Sequence, residues 1–383
     1  MRKILKNINR KEITFIMTLL VVISIITIMP TEFQKQEYIF TEGVRAKVIS
    51  VNNKGIHSSG IFKLGDQSIL IEIETGSYKG EHIQANNMLT GRLSADKVFK
   101  AGDKAWVLIG FDDNNNINFA NMIDHYRIDK EILLIGCFAF VIVIFSGYTG
   151  IRTLLSFAFA LLSIWKILIP AMLNGHNPLI GALLVGNILT IVTLLLVAGF
   201  SKKAYAAIIS SVTCSLTTCV LAIIFGNLFN IHGAVMEGAE SLLYAGFMNL
   251  DLTSIFQAGI YLASSGAILD LAIDISSALE EIINNNPSVT KAELVSSGLN
   301  IGKSVVGSQT TTLLFAYMGS YITIMMVYVA QGTPIMNILN SKTIAAEILH
   351  TFVGCLGLVL VSPLTSVISG LIFEKERNAV DNA

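Results

Sequence analysis

Residues 178–200 read PLIGALLVGNILTIVTLLLVAGF and residues 204–229 read AYAAIISSVTCSLTTCVLAIIFGNLF, with only Ser201-Lys202-Lys203 between them. Neither run holds an Asp, Glu, Lys or Arg. The hydrocarbon layer of a bilayer is about 30 Å thick and a helix rises about 1.5 Å per residue, so about 20 apolar residues cross it. Two spans joined by a tight dilysine turn are therefore expected here, with the turn on the cytoplasmic side.

The same criterion, carried outward, predicts spans near 13–30, 131–148, 152–172, 255–275, 308–330 and 344–372, about eight in all. No small-x-small cleavage site precedes Thr31, so the first span reads as an uncleaved anchor. Placing the N-terminus inside puts Arg2, Lys3, Lys6, Arg10, Lys11, Arg152, Lys202, Lys203, Lys291, Lys303, Lys375 and Arg377 on the cytoplasmic side. The short outer loops then hold only Lys342. Lys166 lies within a span, beside Trp165 near its outer end, where a long side chain snorkels to the interface. Both termini are thus expected in the cytoplasm of a multi-pass cell-membrane protein.

Of the 383 residues, 53% are hydrophobic and 14% charged, against about 25% charged in soluble domains. Residues 31–130 carry 25 of the 53 Asp, Glu, Lys and Arg, while residues 131–373 carry 17. A polar module of about 100 residues therefore interrupts an apolar chain. No basic stripe with interleaved aromatics is present, which argues against a nucleic-acid partner. The cysteines, Cys137, Cys214, Cys219 and Cys355, all lie in apolar runs and read as small buried hydrophobes. The polar module folds without disulfides.

Within that module the pattern changes to period two. Val44, Ala46 and Val48 alternate with Arg45 and Lys47; Ile69, Ile71 and Ile73 form a second strand; residues 104–109 form a third. Gly65-Asp66, Thr75-Gly76, Lys79-Gly80, Gly102-Asp103 and the run 112–116 supply turns. An extracytoplasmic all-β domain, a small barrel or OB-like, is expected over 31–130. Asp112, Asn114 and Asn116 imitate the start of a calcium loop, but Ile117 and Ile123 occupy the positions that need Gly and Glu, so a hairpin turn is the reading. His57, His82, His125 and His176 show no ligand spacing. No metal or other cofactor is expected.

The division that follows is an N-terminal tail and anchor (1–30), the β domain (31–130), a seven-helix membrane domain (131–373) with a cytoplasmic loop at 276–307, and a cytoplasmic tail (374–383). Three places break the apolar pattern. Pro170, Gly175, His176 and Pro178 make a short outer turn. Residues 231–254 form an outer segment without Lys or Arg, interfacial or re-entrant, in which Glu237 and Glu240 are three apart and expected on one helical face. The third is a stripe: Gly259, Ala263, Gly266, Asp270, Asp274, Ser277 and Glu281 recur at helical spacing, opposite Ile260, Leu262, Ile268, Leu269, Leu271 and Ile275. Small residues admit a neighbouring helix closely. Counted from residue 255, Asp270 lies about 22 Å along a span of roughly 30 Å, where an acid faces protein or water. If the bilayer ends sooner, Asp270, Asp274, Glu280 and Glu281 instead begin a solvated cytoplasmic helix. Thr290-Lys291-Ala292-Glu293 is a capping box, Gly298 and Gly302 allow close packing, and Thr310, Thr311 and Thr312 open the next span. Gly302-Lys303-Ser304 lacks the upstream Gly and strand of a phosphate loop.

The runs Gly266-Ala267-Ile268-Leu269-Asp270-Leu271-Ala272-Ile273-Asp274 and Ser297-Gly298-Leu299-Asn300-Ile301-Gly302-Lys303, followed by Gly307, Thr312-Leu313 and Ala316-Tyr317, resemble the YibE/F-like membrane proteins. The turn with Pro170, Gly175 and Pro178 fits the same family. Ser304 and Thr311 depart from the family pattern, which often carries an acid and an Asn there. The resemblance implies a multi-spanning bacterial membrane protein and supplies no activity or substrate.

Three functions are compatible with this reading. The first is a permease or channel-like protein for a small solute or ion, with Asp270, Asp274, Gly266, Glu237, Glu240 and Thr311 along its path. The second is an envelope assembly factor whose β domain meets a protein partner, alone or as a homo-oligomer. The third, an intramembrane enzyme, finds no HExxH and no nucleophile–base pair within a span, and an enzyme is not expected.

Overall fold

The structure is a computed structural model that describes residues 10–30, 33, 40–112 and 116–381. Arg2, Lys3, Lys6, Asp113, Asn114 and Asn115 lie outside the described residues, as do the side chains of Lys375 and Arg377. The chain forms two compact units: residues 31–145, and residues 1–30 with 146–383.

The first unit is built on the expected alternation. Five strands, β1 (Thr41–Ser59), β2 (Phe62–Ile73), β3 (His82–Thr90), β4 (Lys104–Phe111) and β5 (Ile117–His125), close into a barrel in the order β1-β2-β3-β5-β4. All neighbours are antiparallel except β3 and β5. Val44, Ala46, Val48, Ile69, Ile71, Ile73, Ala105, Val107 and Ile109 are all at most 1% exposed and form one core. Strand pairing sets Ala46 opposite both Ile73 and Ala105, so the period-two pattern of three strands converges on one interior. The connection from β3 to β4 contains only turns and inserts Phe99 into that core. It is pinned by two buried amides. Gln67 donates to the Phe99 carbonyl (2.9 Å) and to Asn53 Oδ1 (2.7 Å), and its own oxygen accepts from the Phe99 N–H (3.1 Å). Asn87 donates to Gln67 Oε1 (3.0 Å) and to the Lys97 carbonyl (2.6 Å). Asp96 closes the same connection by accepting from the Thr90 and Gly91 N–H groups, and the Thr90 bond holds its carboxyl below the usual range. Between β4 and β5, Asn116 N–H donates to Asp112 Oδ1 at 2.8 Å, a hairpin closure.

The second unit is helical: α1 (Arg10–Ile28), α2 (Ile128–Ser163), α3 (Ile169–Leu173), α4 (Pro178–Ala198), α5 (Lys202–Leu228), α6 (Ala239–Tyr244), α7 (Leu252–Asn285), α8 (Lys291–Ala330), α9 (Ile335–Leu339) and α10 (Lys342–Asp381). The start of α2 falls in the barrel unit. By length and composition, six helices among the described residues can cross a membrane: α1, the run Ile128–Leu173, α4, α5, α7 and α10. A seventh is α8 if its 64° bend after Gly319 lies within one span. The expected spans 131–148 and 152–172 share the run Ile128–Leu173, which is broken at Gly147 (φ 56°, ψ −126°) and passes through a π-turn at Ile164–Leu168. A backbone at positive φ favours glycine and cannot continue an α-helix.

The segment 276–307 is almost all helix. Helix α7 runs on to Asn285, α8 begins at Lys291, and both bonds of the Thr290–Glu293 capping box form. The long helices pack through α5, α7, α8 and α10. Cys214 and Cys219 are buried as expected, Cys355 is half-buried, and Cys137 is exposed because the first half of α2 has no packed face among the described residues.

The buried amides carry a measurable share of barrel stability. In a Trp165→Phe background, where Trp106 reports on the barrel alone, Gln67→Ala is expected to lower unfolding stability by about 2 kcal/mol, since it leaves the Phe99 and Asn87 groups unmatched. The exposed Gln84→Ala is the control; equal denaturation midpoints for the two variants would show the network to be idle.

Candidate functional site

Helix α7 carries both faces of the expected pattern. Ile260, Ile268, Leu271 and Ile275 are fully buried, and Leu262 and Leu269 half-buried. The opposite stripe is open: Gly259, Ala263, Gly266, Asp270, Asp274 and Glu281 are exposed, and Ser277 is half-buried. Among the described residues nothing packs directly on Gly259 or Gly266, where the small side chains led a close neighbour to be expected: a Cβ at either would meet nothing within 4 Å. The cause is the position of α4. It docks beside the stripe, with Gly186 against the buried Tyr261 ring: a Cβ at Gly186 would lie 2.6 Å from the Tyr261 hydroxyl.

That docking leaves a groove of about 260 Å³ between α4 and α7. Gly186, Thr190 and Thr193 line it from α4, and Ser265, Gly266 and Asp270 from α7, with Ile164, Leu189, Leu262 and Leu269 as apolar wall. The polar groups other than Asp270 are already bonded. Thr193 shares a hydrogen bond with Ser156 (2.7 Å), Thr190 donates to the Gly186 carbonyl (3.0 Å), and Ser265 to the Leu262 carbonyl (2.7 Å). Asp270 has no ion-pair partner among the described residues. The groove therefore presents one carboxylate among hydroxyl oxygens, a donor set suited to a small cation or a cationic or hydrogen-bond-donating group.

Other expected site residues are dispersed. Asp274 lies one turn beyond Asp270 on the same open face and outside the groove lining. Thr311 is exposed on α8, its hydroxyl donating to the Gly307 carbonyl at 3.0 Å. Glu237 and Glu240 do not share a helical face. Gly238 takes φ 78°, and α6 starts only at Ala239, so Glu237 precedes the helix. Both are exposed.

The packing glycines divide likewise. Gly298 sits against Ser366 and Gly302 against Ser362, where an added Cβ would lie 2.6 Å and 1.7 Å from the serine Oγ atoms. Of the motif residues, Asn300 and Lys303 are exposed on α8, and Gly307 has open space around it.

Sequence reasoning missed a second polar cluster. Glu347 and His350 lie in the first third of the apolar helix α10, beside Tyr317 and Tyr321 of α8. The signal was present, as an acid and an imidazole three residues apart in an otherwise apolar run.

A family model for YibE/F-like proteins matches residues 134–375. The chain belongs to the YibE/F-like family. The match covers the groove, the α8–α10 contact and the Glu347–His350 cluster of this YibE/F-like protein. No curated protein and no solved structure matches the chain.

The glycine contacts differ in consequence. Gly302→Ala is expected to destabilise the full chain by about 1–3 kcal/mol through overpacking, with Ser362→Gly restoring it, whereas Gly307→Ala changes little. Thermal unfolding in detergent, followed by loss of the monodisperse species, measures this; equal losses for the two alanine variants would contradict the packing assignment.

Proposed function

We propose that this protein is a multi-pass membrane permease that passes a small cation, or a small solute bearing a cationic group, along the α4–α7 groove at Asp270. One observation carries the reading: a carboxylate without an ion-pair partner among the described residues, set in an apolar helix and open to a lateral groove. Lipid contact with such a group is unfavourable by several kcal/mol, so water, a cation or a polar solute occupies the groove. Broken helical segments accompany it, at Gly147 and at the bend of α8, and transporters place sites beside such breaks.

The expected topology, with both termini cytoplasmic and the barrel outside, is supported by ion pairs that join helix ends assigned to one side. Arg152 pairs with Glu12 (3.8 Å), Lys203 with Glu280 (2.9 Å) and Lys291 with Glu374 (2.9 Å). All six residues belong to the expected cytoplasmic face. At the expected outer side, Lys166 donates to the Met29 carbonyl at 3.1 Å, just beyond the end of α1.

A second reading, an envelope factor that holds a protein partner, draws on the barrel. Ile61, Phe62, Leu64, Met88 and Leu93 are exposed apolar residues near the β1–β2 turn and the end of β3. Leu64 pairs with Thr90 and Asp66 with Met88, which brings Leu64 and Met88 together on one face.

Uptake screening of cells with and without the protein identifies the solute, and the Asp270→Asn variant tests the site. A drop in uptake of tenfold or more at unchanged protein level is expected; undiminished uptake removes Asp270 from the path. Deleting residues 31–128 instead abolishes function first if the envelope reading holds. Reporter fusions at Lys203 and at Asn286 are expected on the same side as the N-terminus, and opposite sides would overturn the topology.

A further inference from the structure

Glu347 and His350 are three residues apart and share a face of α10. Their side chains are 12% and 20% exposed, with His350 Nδ1 3.8 Å from Glu347 Oε1. The imidazole Nε2 is buried with no hydrogen-bond partner among the described residues. The Tyr317 ring lies against the imidazole, centroids 4.3 Å apart and planes 36° apart. One turn further along α8, the Tyr321 side chain faces the Glu347 carboxylate. The exposed Glu237, just before α6, is the next charge felt by Tyr321.

Each packed element adds few titratable groups. Helix α8 brings Tyr317 and Tyr321, the segment before α6 brings Glu237, and α10 itself adds Cys355, whose Sγ lies 3.9 Å from the Thr310 carbonyl. Helix α7 brings Ser264, whose Cβ and the Tyr317 hydroxyl both lie beside Gly354 and whose own hydroxyl donates to the Tyr261 carbonyl at 3.0 Å. No lysine or arginine pairs with Glu347 among the described residues. Among the described residues the imidazole is therefore the one group beside the carboxylate able to balance its charge.

One proton on this pair gives a neutral site, either as carboxylate with imidazolium or as carboxyl with imidazole. Loss of that proton to water leaves one negative charge in a mostly apolar surround, which is costly. Gain from water reverses the step, and no bond other than O–H or N–H forms or breaks. We propose that Glu347 and His350 constitute a proton-exchange site, reached from the Glu237 side and separate from the Asp270 groove. Tyr317 lies against the ring and Tyr321 faces the carboxylate; both are positioning residues. The proposal goes beyond the permease reading, and a protonation readout is independent of any solute.

Infrared difference spectra of the full chain in lipid, taken between about pH 5 and about pH 8 where imidazoles titrate, test it. The wild type is expected to show a protonated-carboxyl band that Glu347→Gln removes and Asp270→Asn leaves in place. Because one proton serves both groups in this proposal, His350→Asn is expected to move the pH at which the band appears by one unit or more, a tenfold change in proton affinity. Tyr321→Phe keeps both charges and shifts the band frequency by removing the hydroxyl that faces the carboxylate, which provides a readout should Glu347→Gln fail to fold. Overturning results are a Glu347→Gln spectrum identical to wild type, a Tyr321→Phe band at the wild-type frequency, or a carboxyl band indifferent to His350→Asn.

Discussion

The helical unit depends on glycine meeting serine or threonine across helix contacts. Gly302 on Ser362, Gly298 on Ser366 and Gly357 on Thr218 bring α8, α10 and α5 together at backbone distance. Apolar association is a weak force between helices already in an apolar medium, so close dispersion contact and shared hydroxyls take its place. The same logic explains why Ser210, Ser264, Ser276, Thr365 and Ser369 are buried in a chain so rich in leucine and isoleucine. Many of these hydroxyls donate to carbonyls of their own helix, as Ser210 does to Ala206 and Ser366 to Ser362, which lets them enter the contact without a partner across it.

Where the backbones touch, nothing else fits; where they do not, the positions stay open. The α7 stripe illustrates the contrast. Its glycines have the composition of a packing seam, yet α4 sits to one side and the seam forms the floor of a groove.

Much of the barrel was legible in advance because period two is a strict geometric consequence of the strand. Val44, Ala46 and Val48 had to face one way, and they do. The amides of Gln67 and Asn87 were not legible. A glutamine at an inward position reads as a break in the pattern until the 97–99 connection, far away in sequence, provides its partners. Asp270 was legible as an acid in an apolar helix, but its surroundings depended on where α4 docks. Glu347 and His350 escaped notice because attention to charge runs and motif spacing passes over a single acid and a single imidazole. Glu237 and Glu240 misled because Gly238 stops the helix that three-residue spacing presumes.

Helix α7 also separates the two polar sites. Ser265 and Gly266 line the groove, while Ser264, the preceding residue, faces α10 near Gly354 and the Tyr317 hydroxyl. The partition between them is a single turn of backbone. Evolution therefore has little room to redesign either side of α7 alone: a bulkier residue at Ser264 presses on the α10 contact and one at Ser265 on the groove, and both move the same turn of helix.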